Sequence, residues 1–326
     1  MDNLTHALSG AILSRAGFNR LTPQAGWLMV AAANVPDLEF VLGLGDPLLY
    51  LDQHRGLSHS FALVPFLALL PLPLWRWLAR RAHPGRREWT GAYLCSLAAV
   101  LSHVLFDWLN AYGVRLALPF SDRWFHLDWL FIFDVWIWLI LGAGVAGMAL
   151  TRLVSSEIGA KSGRGRAGAW VVLAVLCLYF GIRAETHAQA EAVMDARVYQ
   201  GQPPRQVIAV PGPLNPLRWR GLVETRAGWR VVEVDLLHEF DPEAARLFPS
   251  PEPGPALDAA RNTATGRAFL RFARAPLWRT VPASRPEGAT VVTATDLRFG
   301  DPEDGRFTAE ILVDAAGRVL AEEFRY

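Results

Sequence analysis

Long apolar runs occupy residues 1–187 of this 326-residue chain, and almost none follow. Four runs, at 57–78, 90–112, 131–150 and 167–183, come near the roughly 20 residues that a bilayer-spanning helix needs. Two more precede them, at 4–17 and 22–44. The first of these is short for a full span and reads as re-entrant or interfacial. The pattern predicts a membrane all-α domain, residues 1–187, of about five to six hydrophobic helices. From residue 188 the rhythm changes. Pro203-Pro204 and Pro211-Gly212-Pro213 punctuate short strand-like stretches. Strands are predicted at 206–210, 217–224, 229–237, 289–299, 306–313 and 318–324, with one helix at 256–273. Asp314-Ala315-Ala316-Gly317 joins the last two strands as a hairpin connection, in which Gly317 is free to take positive φ. Residues 188–326 are thus expected to form a small soluble α+β domain with an antiparallel sheet.

Composition adds to this picture through charge. A net charge of +1 gives a nucleic-acid partner no electrostatic support. The basic residues are nearly all Arg, with Lys161 the one Lys, and they sit in alternate loops. Arg15 and Arg20 follow the first apolar run. Arg76, Arg80, Arg81, Arg86 and Arg87 follow the third, and Arg152, Lys161, Arg164 and Arg166 the fifth. The positive-inside rule makes that side cytoplasmic. The other loops and the C-terminal domain then face outward, although Arg55, Arg115 and Arg123 are exceptions to the bias. The expectation is a multi-pass protein of a bacterial inner membrane. Met1-Asp2-Asn3-Leu4-Thr5-His6 lacks the basic start of a signal peptide, so the N-terminus is expected to be retained. Cys95 and Cys177 have no metal or disulfide spacing and read as small buried hydrophobes.

Ionisable residues at membrane depth are costly and mark function. Ser96, His103, Asp107 and Asn110 are spaced by seven, four and three, which puts all four on one helix face. His103 and Asp107, at i and i+4, can grip one ion. Ser96 and Asn110 read more readily as a polar stripe that packs helices together. The run His54-Arg55-Gly56-Leu57-Ser58-His59-Ser60 offers two imidazoles for a metal and a guanidinium fork for an anion. Asp37, after Asn34-Val35-Pro36, is a ligand candidate, whereas Glu39 points elsewhere. His6 opens an apolar helix on the same outward side. Asp128 and Asp134 are weaker candidates and His126 weaker still, because their aromatic neighbours also fit an interfacial belt. His83, His187 and His238 read as solvated. The topology was drawn from Arg and Lys alone, yet His6, Asp37, His54, His59, Asp107, Asp128 and Asp134 all fall at or near outward segment ends.

Leu4-Thr5-His6, Val35-Pro36-Asp37, the His54–Ser60 run, His103-Val104-Leu105-Phe106-Asp107-Trp108-Leu109-Asn110 and Pro119-Phe120-Ser121 together resemble the YdjM-type inner-membrane proteins. The resemblance covers roughly residues 1–150. That family is described as membrane-bound metal-dependent hydrolases, distantly similar to zinc phospholipase C and P1-type nucleases. It implies metal-ligand roles for His6, Asp37, His54, His59, His103 and Asp107, and a divalent metal, zinc first, with two or three ions left open.

The function expected from these readings is hydrolysis of a phosphoester or lipid-linked ester by metal-activated water near the outer face. Asp37 or Asp107 would bridge metals or take the proton, and Arg55 would neutralise developing negative charge. The partners expected are membrane lipid and a small-molecule or lipid-linked substrate, with no nucleic acid. Two other classes stay open. Chains of buried His and Asp also carry ions and protons, which describes a transport or metal-handling protein. A closed metal site can also brace a non-catalytic scaffold.

Overall fold

The computed structural model describes residues 1–80, 84–157, 165–305 and 307–325. His83, Arg81, Lys161 and Arg164 lie outside the described residues. Contacts divide the chain into two compact units. The first comprises Met1–Glu39, Arg55–Glu185 and Pro211–Pro216, and the second Phe40–His54, Thr186–Val210 and Leu217–Tyr326.

The first unit begins with α1 (Asn3–Ala16), whose N-terminus is capped by Asp2 through the Thr5 N–H at 3.0 Å. Helix α2 (Ala25–Ala32) follows and ends early. Val35 precedes Pro36, and a residue before proline is driven out of the helical region. The chain therefore turns into a 3-10 segment, Pro36–Leu44, and this break is what carries Asp37. The expected span at 22–44 does not form as one helix for that reason. At the crossing of α1 and α2, a Cβ on Gly10 would lie 2.5 Å from the Met29 carbonyl oxygen. We expect Gly10→Ala to force the helices apart, at a cost of about 1–3 kcal/mol. Chemical unfolding in detergent measures this, and an unchanged midpoint would show that the crossing relaxes freely.

The segment expected to span at 57–78 is also broken. A 3-10 turn at Leu57–His59 is followed by α4 (Val64–Leu67) and α5 (Leu72–Leu78). Pro65, Pro71 and Pro73 start helical turns but cannot continue the preceding ones. Three longer helices complete the unit, and for continuity we number them α6 (Arg86–Leu109), α7 (Val135–Glu157) and α8 (Arg166–Asp195). The last of these runs past Glu185 into the second unit. Among the described residues, these three are long and apolar enough to cross a membrane, or up to four spans if the broken pair Pro47–His59 and Val64–Leu78 counts as one. That corrects the expected five to six, because α1 and α2 are too short.

Helix α6 is the central one: 56% of its apolar window is buried, against 11% for α7. Trp75, Met29, Cys95 and Val100 form one core around it. Ile12, Phe106, Ile137, Leu141 and Leu176 form a second core, drawn from α1, α6, α7 and α8. Cys177, expected to be buried, is instead exposed on α8. Fully buried Arg183 on α8 donates to the carbonyls of Trp129 at 2.8 Å and Pro216 at 2.6 Å, which fixes the 211–216 segment within this unit.

The second unit holds a short helix, Pro47–Gln53, which we number α3, and two four-stranded sheets. The first sheet has the order β1 (Gln206–Pro211), β2 (Arg218–Thr225), β3 (Gly228–Asp235) and β4 (Arg246–Pro249). The second has the order β5 (Pro276–Pro282), β6 (Thr290–Asp296), β7 (Thr308–Val313) and β8 (Val319–Arg325), with antiparallel neighbours throughout. The α+β reading holds, with two antiparallel sheets where one was expected. Strands β4 and β5 were not foreseen: one has four residues and the other is bounded by prolines. The single helix expected at 256–273 is two, α9 (Pro255–Arg261) and α10 (Ala264–Phe272). Thr263 restarts the helix by accepting the Gly266 N–H at 2.9 Å. Helix α3 packs on α10 and β8, with Asp52 paired to Arg271.

Candidate metal centre

Helix α6 supplies half of the site. His103 and Asp107, one turn apart, are both fully buried, with His103 Nε2 at 3.3 Å from Asp107 Oδ2. The last carbonyls of a helix have no partner within it, and that of Ala33, just past α2, meets His103 Nδ1 at 2.6 Å. A carbonyl can only accept, so Nδ1 carries the proton and Nε2 presents a lone pair to the cluster. His59, in its 3-10 turn, brings Nε2 to 3.0 Å from that of His103 and 3.1 Å from Asp107 Oδ2. Asp37 Oδ1 lies 3.6 Å from His59 Nε2 and 3.5 Å from His103 Nε2.

Asp37, His59, His103 and Asp107 therefore offer four donor atoms, all within 4.8 Å of one another, and could hold a metal ion. A tetrahedral ion with bonds of about 2.0–2.1 Å separates its donors by about 3.3 Å. The five separations just given run from 3.0 to 3.6 Å. The residues fit such an ion on a second ground as well. Asp107 Oδ2 has no hydrogen-bond partner among the described residues although it is buried, a costly state that a cation would relieve.

His6 lies beside this set. Its ring stacks on His103 with centroids 3.7 Å apart, and its Nε2 is 3.5 Å from Asp107 Oδ1. It is fully buried, and neither ring nitrogen has a hydrogen-bond partner among the described residues. The two oxygens of Asp107 thus have different company. Oδ2 faces His59 and His103, while Oδ1 faces His6, the α-amino group of Met1 and Arg55 Nη2 at 3.3 Å.

Arg55 is held rather than loose. Its backbone takes φ +52°, its N–H donates to Glu39 Oε1 at 2.6 Å, and its carbonyl accepts the Arg115 N–H at 3.0 Å. Its Nη1 donates to Asn110 Oδ1 at 2.9 Å, and its guanidinium lies over the Tyr112 ring. Asn110, read from sequence as packing, also donates to Asp107 Oδ1 at 3.3 Å and ends α6. Ser96, 14 residues earlier on α6, is buried with no hydrogen-bond partner for its hydroxyl among the described residues.

Of the other predicted residues, His54 belongs to the second unit, where it caps α3 and stacks on Tyr50 with centroids 4.5 Å apart. Asp134 caps α7 and accepts the Tyr179 hydroxyl at 3.0 Å, and Asp128 pairs with His126 at 3.3 Å. His238 is exposed, as expected. His187 is not: it lies 3.6 Å from Glu191 and edge-on to Trp219, because α8 continues into the second unit and carries it under the first sheet. Glu39 and Ser58 are the residues that sequence reasoning did not place. Ser58 was legible only as a member of the His54–Ser60 run, and Glu39 only as a carboxylate two residues past Asp37.

The model of the YdjM inner membrane protein family matches residues 1–188, which include every residue of this cluster. The chain belongs to that family. A relative from Bacillus subtilis (strain 168), named Uncharacterized protein YfhP, is 30% identical over 157 residues, 45% of this chain. The chain spans about half the length of that relative, 46% of it. No solved structure gives a significant match. The YdjM match and the apolar helices agree on a membrane protein, and the buried His/Asp set lies within the matched region.

Proposed function

We propose that this YdjM protein is a membrane-bound hydrolase that works with a divalent metal, zinc first, on a phosphoester or lipid-linked ester. The observation that carries the reading is the donor set of Asp37, His59, His103 and Asp107, at tetrahedral spacing inside an apolar helical unit. His6, 3.5 Å from the far oxygen of Asp107, would be the residue to help hold a second ion if one were bound in place of the contacts that oxygen makes with the Met1 amino group and Arg55. Four protein donors would fill a tetrahedral shell, so an acidified water and a Lewis acid for an ester oxygen would need a fifth position or the release of Asp37, the most accessible donor.

The chain's own residues supply the rest. Asp37 has the most accessible side chain of the four donors, 13% against none for the others, so substrate approach and proton removal fall to its side. Arg55 places positive charge beside Asp107, where it can offset negative charge building on an attacked ester. Leu38, Leu57 and Phe61 flank the ligands in sequence and are exposed, at 57%, 47% and 53%. An acyl chain matches those side chains, which favours a lipid or lipid-linked substrate.

The charge pattern of α6 supports an outward side for the site. Arg86 and Arg87 begin the helix and His103 lies 17 residues on, about 25 Å along the axis at 1.5 Å per residue. Helix α1 repeats the arrangement, with Arg15 in its last turn and His6 near its start. Basic ends inside put the metal ligands outside.

The test is hydrolysis by the full chain purified in detergent and loaded with zinc. We expect cleavage of bis(p-nitrophenyl) phosphate or of short-chain phospholipid in micelles, abolished by a chelator and reduced by about 10²–10³-fold in Arg55→Ala, the range for one lost charge-stabilising donor. A zinc-loaded protein that cleaves neither phosphoesters nor carboxylic esters would overturn the reading. Zinc uptake into proteoliposomes would replace it with transport.

A further inference from the structure

The contact between His59 Nε2 and His103 Nε2, at 3.0 Å, has two physical meanings. If one nitrogen carries a proton, it is a hydrogen bond. If both carry lone pairs, the rings repel each other and together demand a cation. His103 is already settled, because Ala33 takes its Nδ1 proton. The tautomer of His59 therefore decides which of the two the cluster is.

His59 Nδ1 is 2.8 Å from Ser58 Oγ, and Ser58 Oγ in turn meets Glu39 Oε2. An ionised carboxylate can only accept, so the hydroxyl proton points to Glu39. The hydroxyl oxygen must then accept from His59 Nδ1–H, which leaves Nε2 as the lone pair. Glu39 Oε1 lies 3.6 Å from the same Nδ1 and attracts its proton further. The side chain of Glu39 is 8% exposed, so the acceptor end of this chain of contacts is largely shielded from competing water.

We infer that Glu39 and Ser58 form a proton-orienting relay that fixes His59 as an Nε2 donor and so converts a histidine pair into a metal site. They are positioning residues: Ser58 reaches the cluster through His59, and Glu39 through His59 and through the backbone of Arg55. The inference rests on the metal reading of this cluster. Outer partners of metal-bound histidines commonly govern affinity by about 10–100-fold.

The experiment is chelator competition for zinc by the full chain in detergent, with Ser58→Ala, Glu39→Ala and the double variant, alongside nitrogen-15 spectra of the imidazoles in zinc-free protein. We expect each single variant to weaken zinc by about 10–100-fold. The double variant should be no weaker than the worse single, because both changes cut one relay. The His59 signal should shift from the Nδ1–H form toward a mixture, and Ser58→Thr, which keeps the hydroxyl, should restore both readouts. Glu39 also holds the Arg55 N–H, so if Glu39→Ala does not fold, the Ser58 variants alone decide. Zinc binding by the parent, with Ser58→Ala within twofold of it and an unchanged His59 signal, would overturn the relay alone. No zinc bound by the parent would overturn the metal reading and the relay with it.

Discussion

Replacing His103 and Asp107 together by alanine is expected to empty the site: the parent chain, purified without chelators, carries stoichiometric zinc by elemental analysis, and the double variant carries none. The two residues supply two of the four donors, and Asp107 lies against His59, His103 and the neighbouring His6. Structural zinc sites bind with about 10–16 kcal/mol in total. Losing half of the ligands should therefore cost roughly 5–8 kcal/mol, which at 1.4 kcal/mol per decade is about four to six orders of magnitude in affinity. That is beyond what any remaining pair can retain through purification. Deleting Asp107 also takes a carboxylate away from Arg55 and the Met1 amino group, so folding is checked alongside, and His103→Ala alone, which keeps that carboxylate, should still lose most of the zinc. Zinc in both proteins would place the ion elsewhere, and zinc in neither would favour the readings without a metal.

Helix α6 was the most legible part of the centre. Spacings of four and three residues put His103, Asp107 and Asn110 on one face whatever the helix packs against, and they do converge there. Asp37 was legible as a residue type, but its reach to the cluster depends on Pro36 ending α2, which a hydropathy run across 22–44 conceals. His54 and His59 show the limit of a motif. They are five residues apart, yet His54 ends a seven-residue helix that folds with the second unit while His59 sits in the first. Nothing in an apolar or polar rhythm marks that division. The relay was invisible for another reason. Glu39 reaches Ser58 across 19 positions, and the two lie in separate 3-10 stretches with α3 between them, so no single period relates them. The helix count falls below the apolar-run count because Pro36 cuts the run at 22–44, and Pro65, Pro71 and Pro73 cut the run at 57–78.

Zinc should also stabilise the two units unequally. Its donors come from α6, the Pro36–Leu44 turn and the Leu57–His59 turn, so one ion ties three separate stretches of the first unit together. A ligand that binds only the folded form stabilises it by RT ln(1 + [L]/Kd), about 4 kcal/mol at a thousandfold excess over Kd. The second unit has its own core of Trp219, Val223, Val232, Val234 and Tyr199 and contributes none of the four donors. In calorimetry of the detergent-solubilised chain, zinc should therefore raise the transition of the helical unit and leave that of the sheets in place. Ligands must lose their protons to bind, so the zinc-induced rise should shrink as pH is lowered. His59→Ala should abolish the shift, since it removes a donor that lies within 3.6 Å of each of the other three. An equal rise in both transitions, or one that survives in His59→Ala, would mean that zinc acts at some other place on the protein.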